Sequence, residues 1–287
     1  MNQLYLTECP RDAMQGIVDF IPTNLKVDYL NQLLKCGFDV LDFGSFVSPK
    51  AIPQMQDTAS ILPQLKLDSI TTKLLAIIAN ERGAQDAAFF DEVSFLGFPF
   101  SVSETFQQRN TNSSIEASLK RVEAIQQICE QNNKQQLVYL SMAFGNPYGD
   151  LWHEEVVAEW AQKLKSLGIK YFALADTTGS STPATVSSLI KTVVPELTGL
   201  DVSLHLHSTR DEAVAKITAA LAAGCTKFDV AIHGFGGCPM AKKDLTGNLA
   251  TEDLLEVART LGYSNGLNAN ELDKAYAQSW TIFNNYH

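Results

Sequence analysis

Several things are scarce in this sequence, and each shortage narrows its class. Its five cysteines, Cys9, Cys36, Cys129, Cys225 and Cys238, form no Cys-x-x-Cys pair and are odd in number. A disulfide framework is therefore not expected, and the thiols read as reduced. Lysine and arginine number 22 against 32 aspartates and glutamates, a formal net charge of −10. That balance argues against a nucleic-acid partner, because such binding needs clustered cations that displace counterions. No uninterrupted apolar run approaches about 20 residues, and "MNQLYLTECPRD" has no basic segment leading into a signal-length apolar run. The expectation is a soluble cytoplasmic protein with no membrane partner. Low-complexity linkers are also missing, so one domain over residues 1–287 is expected.

What is present alternates. Eight β-rich runs are legible at 3–8, 39–44, 73–79, 92–97, 136–143, 170–176, 201–207 and 227–233. Between them lie amphipathic stretches such as "SIEASLKRVEAIQQICEQ" and "PATVSSLIKTVVPEL", with apolar residues at helical spacing and several ends marked by glycine. Strand and helix taking turns from end to end predicts parallel βα units, and eight of them predict an α/β (β/α)8 TIM barrel with a further helical segment, "ELDKAYAQSWTIFNNYH", after the eighth. That segment can cap its own barrel or meet a partner.

Barrels of this kind place their chemistry where strands end. Arg11 and Asp12 follow the first run, Asp42 lies near the end of the second, Asn80 follows the third, and Asp176 ends the sixth. His205 and His207 end the seventh. His233 ends the eighth, and a long loop containing Cys238 and Asn248 follows.

Each of these groups has two readings. Strand residues at i and i+2 lie roughly 6.6 Å apart on one face, so converging imidazoles can hold a metal at about 2.1 Å each; a buried hydrogen-bonded pair looks the same in sequence. In "ECPRDAMQ", Asp12 can supply an oxygen ligand and Arg11 can stabilise an oxyanion, or the two form a plain ion pair. Cys238, in "HGFGGCP", is a proton donor or acceptor, or a small loop residue. Asn248, in "TGNLATED", is an amide-oxygen ligand or part of a turn; Thr251, Glu252 and Asp253 are explained by helix initiation. The stretches 46–50 and 104–114, with Lys50, Arg109, Asn110 and Asn112, either meet an anionic ligand or are solvated loops, and the sequence favours solvated loops; 97–104 reads as an enlarged aromatic loop.

Taken in order, "PRDAMQ", "SFVSPKAIPQM", "SIEASLKR", "GNPYG", "ADTTGSSTP", "HLH", "GFGGCPMAK" and "GNLATEDL" resemble the hydroxymethylglutaryl-CoA lyase family, over nearly the whole chain. The resemblance implies a carbon-carbon lyase that splits 3-hydroxy-3-methylglutaryl-CoA into acetoacetate and acetyl-CoA, chemistry of leucine degradation and ketone-body type. It implies a divalent cation, magnesium or manganese, on Asp12, His205, His207 and Asn248. It further implies catalytic roles for Arg11, Asp42, His205 and Cys238, and a substrate pocket including Gln15, Asp176 and Thr177. The partners implied are an acyl-CoA substrate and a second copy of the chain in a homodimer. The chain departs from the family pattern at Ala13, Asp42, Ser208 and His233, where the family has glycine, glutamate, aspartate and a small residue. Ser208 is expected to remove an acceptor that would orient a ligand. These departures leave room for a related acyl-CoA or hydroxy-keto acid substrate, or for a metal- and acyl-CoA-binding protein without turnover.

Overall fold

The structure, a computed structural model, describes residues 2–237 and 246–286. Eight parallel strands close into a barrel: β1 (Tyr5–Glu8), β2 (Val40–Ser45), β3 (Lys73–Ile77), β4 (Val93–Ser101), β5 (Gln135–Ser141), β6 (Tyr171–Asp176), β7 (Asp201–Ser208) and β8 (Lys227–Val230). β1 completes the ring against β8, with Tyr5 opposite Lys227 and Glu8 opposite Val230. The helices are α1 (Pro10–Gln15), α2 (Thr23–Leu34), α3 (Thr58–Ile61), α4 (Glu81–Ala88), α5 (Glu104–Thr111), α6 (Ile115–Gln131), α7 (Glu154–Ser166), α8 (Pro183–Glu196), α9 (Arg210–Ala222), α10 (Thr251–Thr260) and α11 (Ala269–Phe283). None among the described residues is long and apolar enough to cross a membrane.

Strand alternation builds two cores. Leu74, Ala76, Val138 and Leu204 face outward into the layer shared with the helices. Their neighbours Leu75, Ile77, Leu137 and Tyr139 face inward and form a separate cluster with Phe95 and Tyr171 packed against it. Both faces of each strand are thus buried, as parallel sheets require. Side-chain caps start the helices: Ser114 accepts from Ala117 N at 3.1 Å, and Thr182 from Thr185 N at 3.2 Å. The C-terminal α11 packs on its own barrel, where Gln32 Nε2 donates to the Glu271 carboxylate at 2.9 Å and Tyr29 meets Phe283 edge-on.

Several expectations are corrected. The 97–104 stretch is no loop: β4 continues through Ser101, its backbone paired with β5 from Phe95 to Ser101. Residues 104–111 form α5, capped by Ser103, rather than a solvated loop. Asn80 stands apart from any site and caps α4, accepting from Gly83 N at 2.9 Å. The eighth strand ends at Val230, three residues short, and His233 sits in a 3-10 turn with φ +60°. A two-residue strand, β9 (Gly247–Asn248), pairs antiparallel with the end of β7 and sets Asn248 opposite His207.

Candidate functional site

α1 begins at the mouth of the barrel because Pro10, whose φ suits the first helical position, directly follows the end of β1. One helical turn then carries Arg11, Asp12 and Gln15 toward the barrel axis. Arg11 Nη1 donates to Asp12 Oδ1 and to Gln15 Oε1, each at 2.8 Å. Its Nε and Nη2 grip the Asp42 carboxylate, the closest contact being 2.5 Å. Burial opposes the guanidinium charge, but Asp42 and Asp12 outweigh it and hold Arg11 firmly protonated. Burial likewise pushes Asp12 up, yet Arg11, the two imidazoles and Asn248 pull harder, and its carboxyl settles at about 2. Asp42 is pushed up to about 6 by burial, which Arg11 only partly offsets.

The two histidines of β7 are each fixed through one ring nitrogen. His205 Nδ1 lies 3.2 Å from Asp229 Oδ2, and His207 Nδ1 lies 3.3 Å from the backbone oxygen of Thr177. A carbonyl oxygen can only accept, so Nδ1 of His207 carries the proton and Nε2 presents a lone pair. That Nε2 is buried without a hydrogen-bond partner. Burial, then the charge of His205, lowers His207 to about 4, so it is neutral near pH 7. Burial draws the His205 pKa down, but its Asp229 hydrogen bond and charge outweigh this and raise it. One donor atom each from Asp12, His205 and His207 lies within 4.8 Å of the others.

Asn248 arrives beside His207 on β9, which pairs with the end of β7. Its Nδ2 donates to Asp12 Oδ2 at 2.8 Å and to Phe235 O at 2.9 Å. The amide nitrogen, not the expected oxygen, therefore faces Asp12. The chain segment that brings Asn248 in lies tight against α1: a Cβ on Gly236, at φ +84°, would stand 2.6 Å from Ala13 Cα and from Asp12 O. Only glycine fits there.

Above these groups opens a cavity of about 190 Å³ whose wall includes Arg11, Gln15, Tyr139, Thr177, His205 and His207. The remaining expected residues fall elsewhere. Asp42 is fully buried behind Arg11 and does not reach the cavity. Asp176 is also turned away: its carboxylate accepts from Ser180 N and Ser181 N and faces the buried ammonium of Lys216 at 3.9 Å. It shapes the loop whose Thr177 carbonyl holds His207. Ser208 donates to Thr209 O and touches neither histidine, so the acceptor expected at 208 is supplied instead by Asp229 and Thr177 O. Cys238 lies outside the described residues. Sequence reasoning missed Asp229 and also Tyr139, whose buried hydroxyl has no partner. The signal for Asp229 was an acid in the middle of "KFDVAIH", which interrupts an otherwise apolar buried strand.

This geometry has counterparts in known proteins. The family model described as HMGL-like matches residues 5–278. The mitochondrial hydroxymethylglutaryl-CoA lyase of Mus musculus is 36% identical over 269 residues, 93% of this chain and 81% of its own length. The cytoplasmic 3-hydroxy-3-methylglutaryl-CoA lyase of Rattus norvegicus is 32% identical over 93% of this chain and 77% of its own. Among solved structures, the HMG-CoA lyase of Acinetobacter baumannii in complex with coenzyme A and 3-methylmalate superposes with a TM-score of 0.90 at 29% identity, covering 98% of this chain and 92% of that one. Fold and sequence agree, and the chain belongs to the HMGL-like family.

Proposed function

We infer that this chain cleaves 3-hydroxy-3-methylglutaryl-CoA into acetoacetate and acetyl-CoA. The observation that carries this reading is the convergence of Asp12, His205 and the bare Nε2 of His207 beside Arg11 at the floor of one cavity. The relatives named for this activity, and the related structure that holds coenzyme A and a hydroxy diacid, support it.

The donor set fits a divalent cation. It offers one carboxylate and two imidazoles, that of His207 neutral with an orphaned buried Nε2 and that of His205 able to give up a proton on binding, in a place where three carboxylates, Asp12, Asp42 and Asp229, face one guanidinium. The carboxylate, an amide oxygen and substrate oxygens beside the two imidazoles make an octahedral site that accommodates manganese or magnesium. Asp12, His205 and His207 would hold the ion, joined by Asn248 if its amide turns its oxygen inward. When bound, such an ion supplies a lowered pKa for the substrate hydroxyl and a fixed orientation for its oxygens.

The chain's own residues do the rest. Loss of the tertiary hydroxyl proton to solvent lets the bond between C2 and C3 break, leaving acetoacetate and the enolate of acetyl-CoA, and the proton later delivered to C2 is replaced from solvent. Arg11 lines the cavity with its charge held in place by Asp42, and it stabilises the enolate oxygen. Asp42 is thus a positioning residue for Arg11. Gln15 and Thr177 line the substrate pocket together with the ring of Tyr139. Cys238 returns a proton to the enolate carbon. His205 has one free nitrogen for its two expected roles, and the geometry favours ligation.

The test is turnover by purified protein with Mg²⁺ or Mn²⁺. Acetyl-CoA and acetoacetate should appear in equal amounts from 3-hydroxy-3-methylglutaryl-CoA, and Arg11→Met should stop their release. Absence of product with either metal across the neutral pH range overturns the reading.

A further inference from the structure

Deeper in the barrel than the Asp12 group lies a second set of donor atoms with different chemistry. The Cys9 thiol, the His205 imidazole and the Asp229 carboxylate each place one donor atom within 4.8 Å of the others. Cys9 is 1% exposed and Asp229 3%. Two of the three are poorly satisfied. Asp229 Oδ2 takes the His205 ring, but Oδ1 is buried with no hydrogen-bond partner. Cys9 Sγ has a single long contact, 3.8 Å to Thr7 O. An unpartnered carboxylate oxygen in a dry interior is costly unless something cationic or hydrogen-donating answers it. Burial, then Asp229, Asp42 and Asp12, push the Cys9 thiol pKa up, and the same three carboxylates attract a cation that displaces the thiol proton.

The donor types separate this set from the one above it. A carboxylate with two imidazoles accepts magnesium, manganese or zinc, whereas the thiolate of the deeper set disfavours the hard ions and leaves zinc and its softer relatives. We propose that Cys9, His205 and Asp229 form a second cation site, selective for a zinc-like ion, that shares His205 with the site at the mouth. Binding exchanges one divalent ion for two protons, the thiol proton of Cys9 and the Nδ1 proton of His205, both released to solvent. The charge of the interior is unchanged. Asp229 then gives up its hydrogen bond to His205 and ligates the ion instead, so the ring loses the support that aims its other nitrogen at Asp12. A zinc-like ion is therefore an inhibitor that acts from beneath the catalytic centre. The site rests on these three residues and their donor atoms and is measured by binding, whereas the inhibition rests on the lyase reading.

The experiment titrates the full-length protein with Cd²⁺ in the presence of saturating Mn²⁺ and follows thiolate-to-cadmium charge-transfer absorbance. Wild type should develop the signal with one equivalent of Cd²⁺, Cys9→Ser should not, and Cys238→Ser should. Mn²⁺ affinity of Cys9→Ser should equal that of wild type, and Zn²⁺ should inhibit it at concentrations roughly tenfold higher, the scale on which lost support or ligation acts. A signal that survives Cys9→Ser, or that disappears with Cys238→Ser, overturns the site, as does wild type that gives no signal. Should Cys9→Ser fail to fold, X-ray absorption of cadmium-loaded Cys238→Ser decides: one sulfur with nitrogen and oxygen neighbours supports the site, and a shell without sulfur refutes it.

Discussion

Along the barrel axis the inward side chains change character within two residues of strand. In the lower half Leu75, Leu137, Phe95 and Tyr171 pack together, the last two edge-to-face at 5.0 Å. In the upper half Arg11, Asp12, Asp42 and His207 are at least as deeply buried, yet they are charged or polar, the first three held by one another and His207 by the Thr177 carbonyl. The lower half stabilises the barrel by taking apolar surface from water. The upper half gains little from burial, because desolvating charges costs about as much as pairing them returns. It is arranged for chemistry, and the lower half supplies the stability that lets it be so.

Breaking the upper half should separate activity from folding. Arg11→Met is expected to lower turnover by about 10³-fold, the loss typical of removing a donor to a developing oxyanion. It also strands Asp42 as an unpaired buried charge and should lower the melting temperature. Adding Asp42→Asn should restore melting but not turnover, read by calorimetry and by acetyl-CoA release. If both recover together, Arg11 is structural and the comparison fails. The lower half should answer in the opposite sense. Leu137→Ala removes a side chain 8% exposed from the inner cluster and is expected to cost about 3 kcal/mol in chemical denaturation. Turnover per folded molecule should stay within about twofold, since small relaxations there do not reach the donors.

These two halves were not equally legible in the sequence. All eight strands could be placed, because βα alternation repeats a signal over the whole chain, and Arg11, Asp12, His205 and His207 could be proposed from their place at strand ends. Outside β7, where the two histidines mark the inner face and Leu204 and Leu206 the helix layer, which way a residue points within a strand could not be read. Parallel strands buried on both faces lack the polar alternation that distinguishes inside from outside. Leu74 and Leu75 therefore look alike, although they enter different cores. The same blindness hid Asp229, and it made Asp176 look like a pocket residue when it faces Lys216. β9 escaped because two residues carry no period at all; its placement comes from the pairing of Asn248 with His207 at the mouth.

Asp229 sharpens the boundary between the halves. Its carboxylate stands just below the donors and fixes the His205 ring. Asp229→Asn should weaken Mn²⁺ binding by roughly 10- to 100-fold in a titration followed by electron paramagnetic resonance, the usual effect of losing support behind a ligand. Ser208→Asp, which restores the family residue at a position that touches neither histidine, should change Mn²⁺ affinity far less. Equal effects from the two would mean that His205 is not oriented from below.

The smallest expected effect comes from a charge outside both halves, on the outer face of β1. Glu8 is 1% exposed; its Oε1 accepts from Ile232 N at 2.8 Å and its Oε2 meets the Thr251 hydroxyl at 2.7 Å. It therefore ties the first strand to the turn after the eighth and to the start of α10. Burial pushes its carboxyl from 4.5 up to about 8, which the two hydrogen bonds only partly offset. The folded state consequently binds this proton more tightly than the unfolded chain does. Between those two values the native protein holds more protons, so the Glu8 contribution is fully present below about pH 4.5 and is lost as pH rises through about 8. Glu8→Gln keeps both hydrogen bonds, with an amide N–H donating to Thr251, and has nothing to ionise. Its melting temperature should match wild type near pH 5 and exceed it by a margin that widens toward pH 8. All other titrating groups are common to the two proteins and cancel in the difference, so a gap that stays constant with pH would show that Glu8 is ionised in the folded barrel.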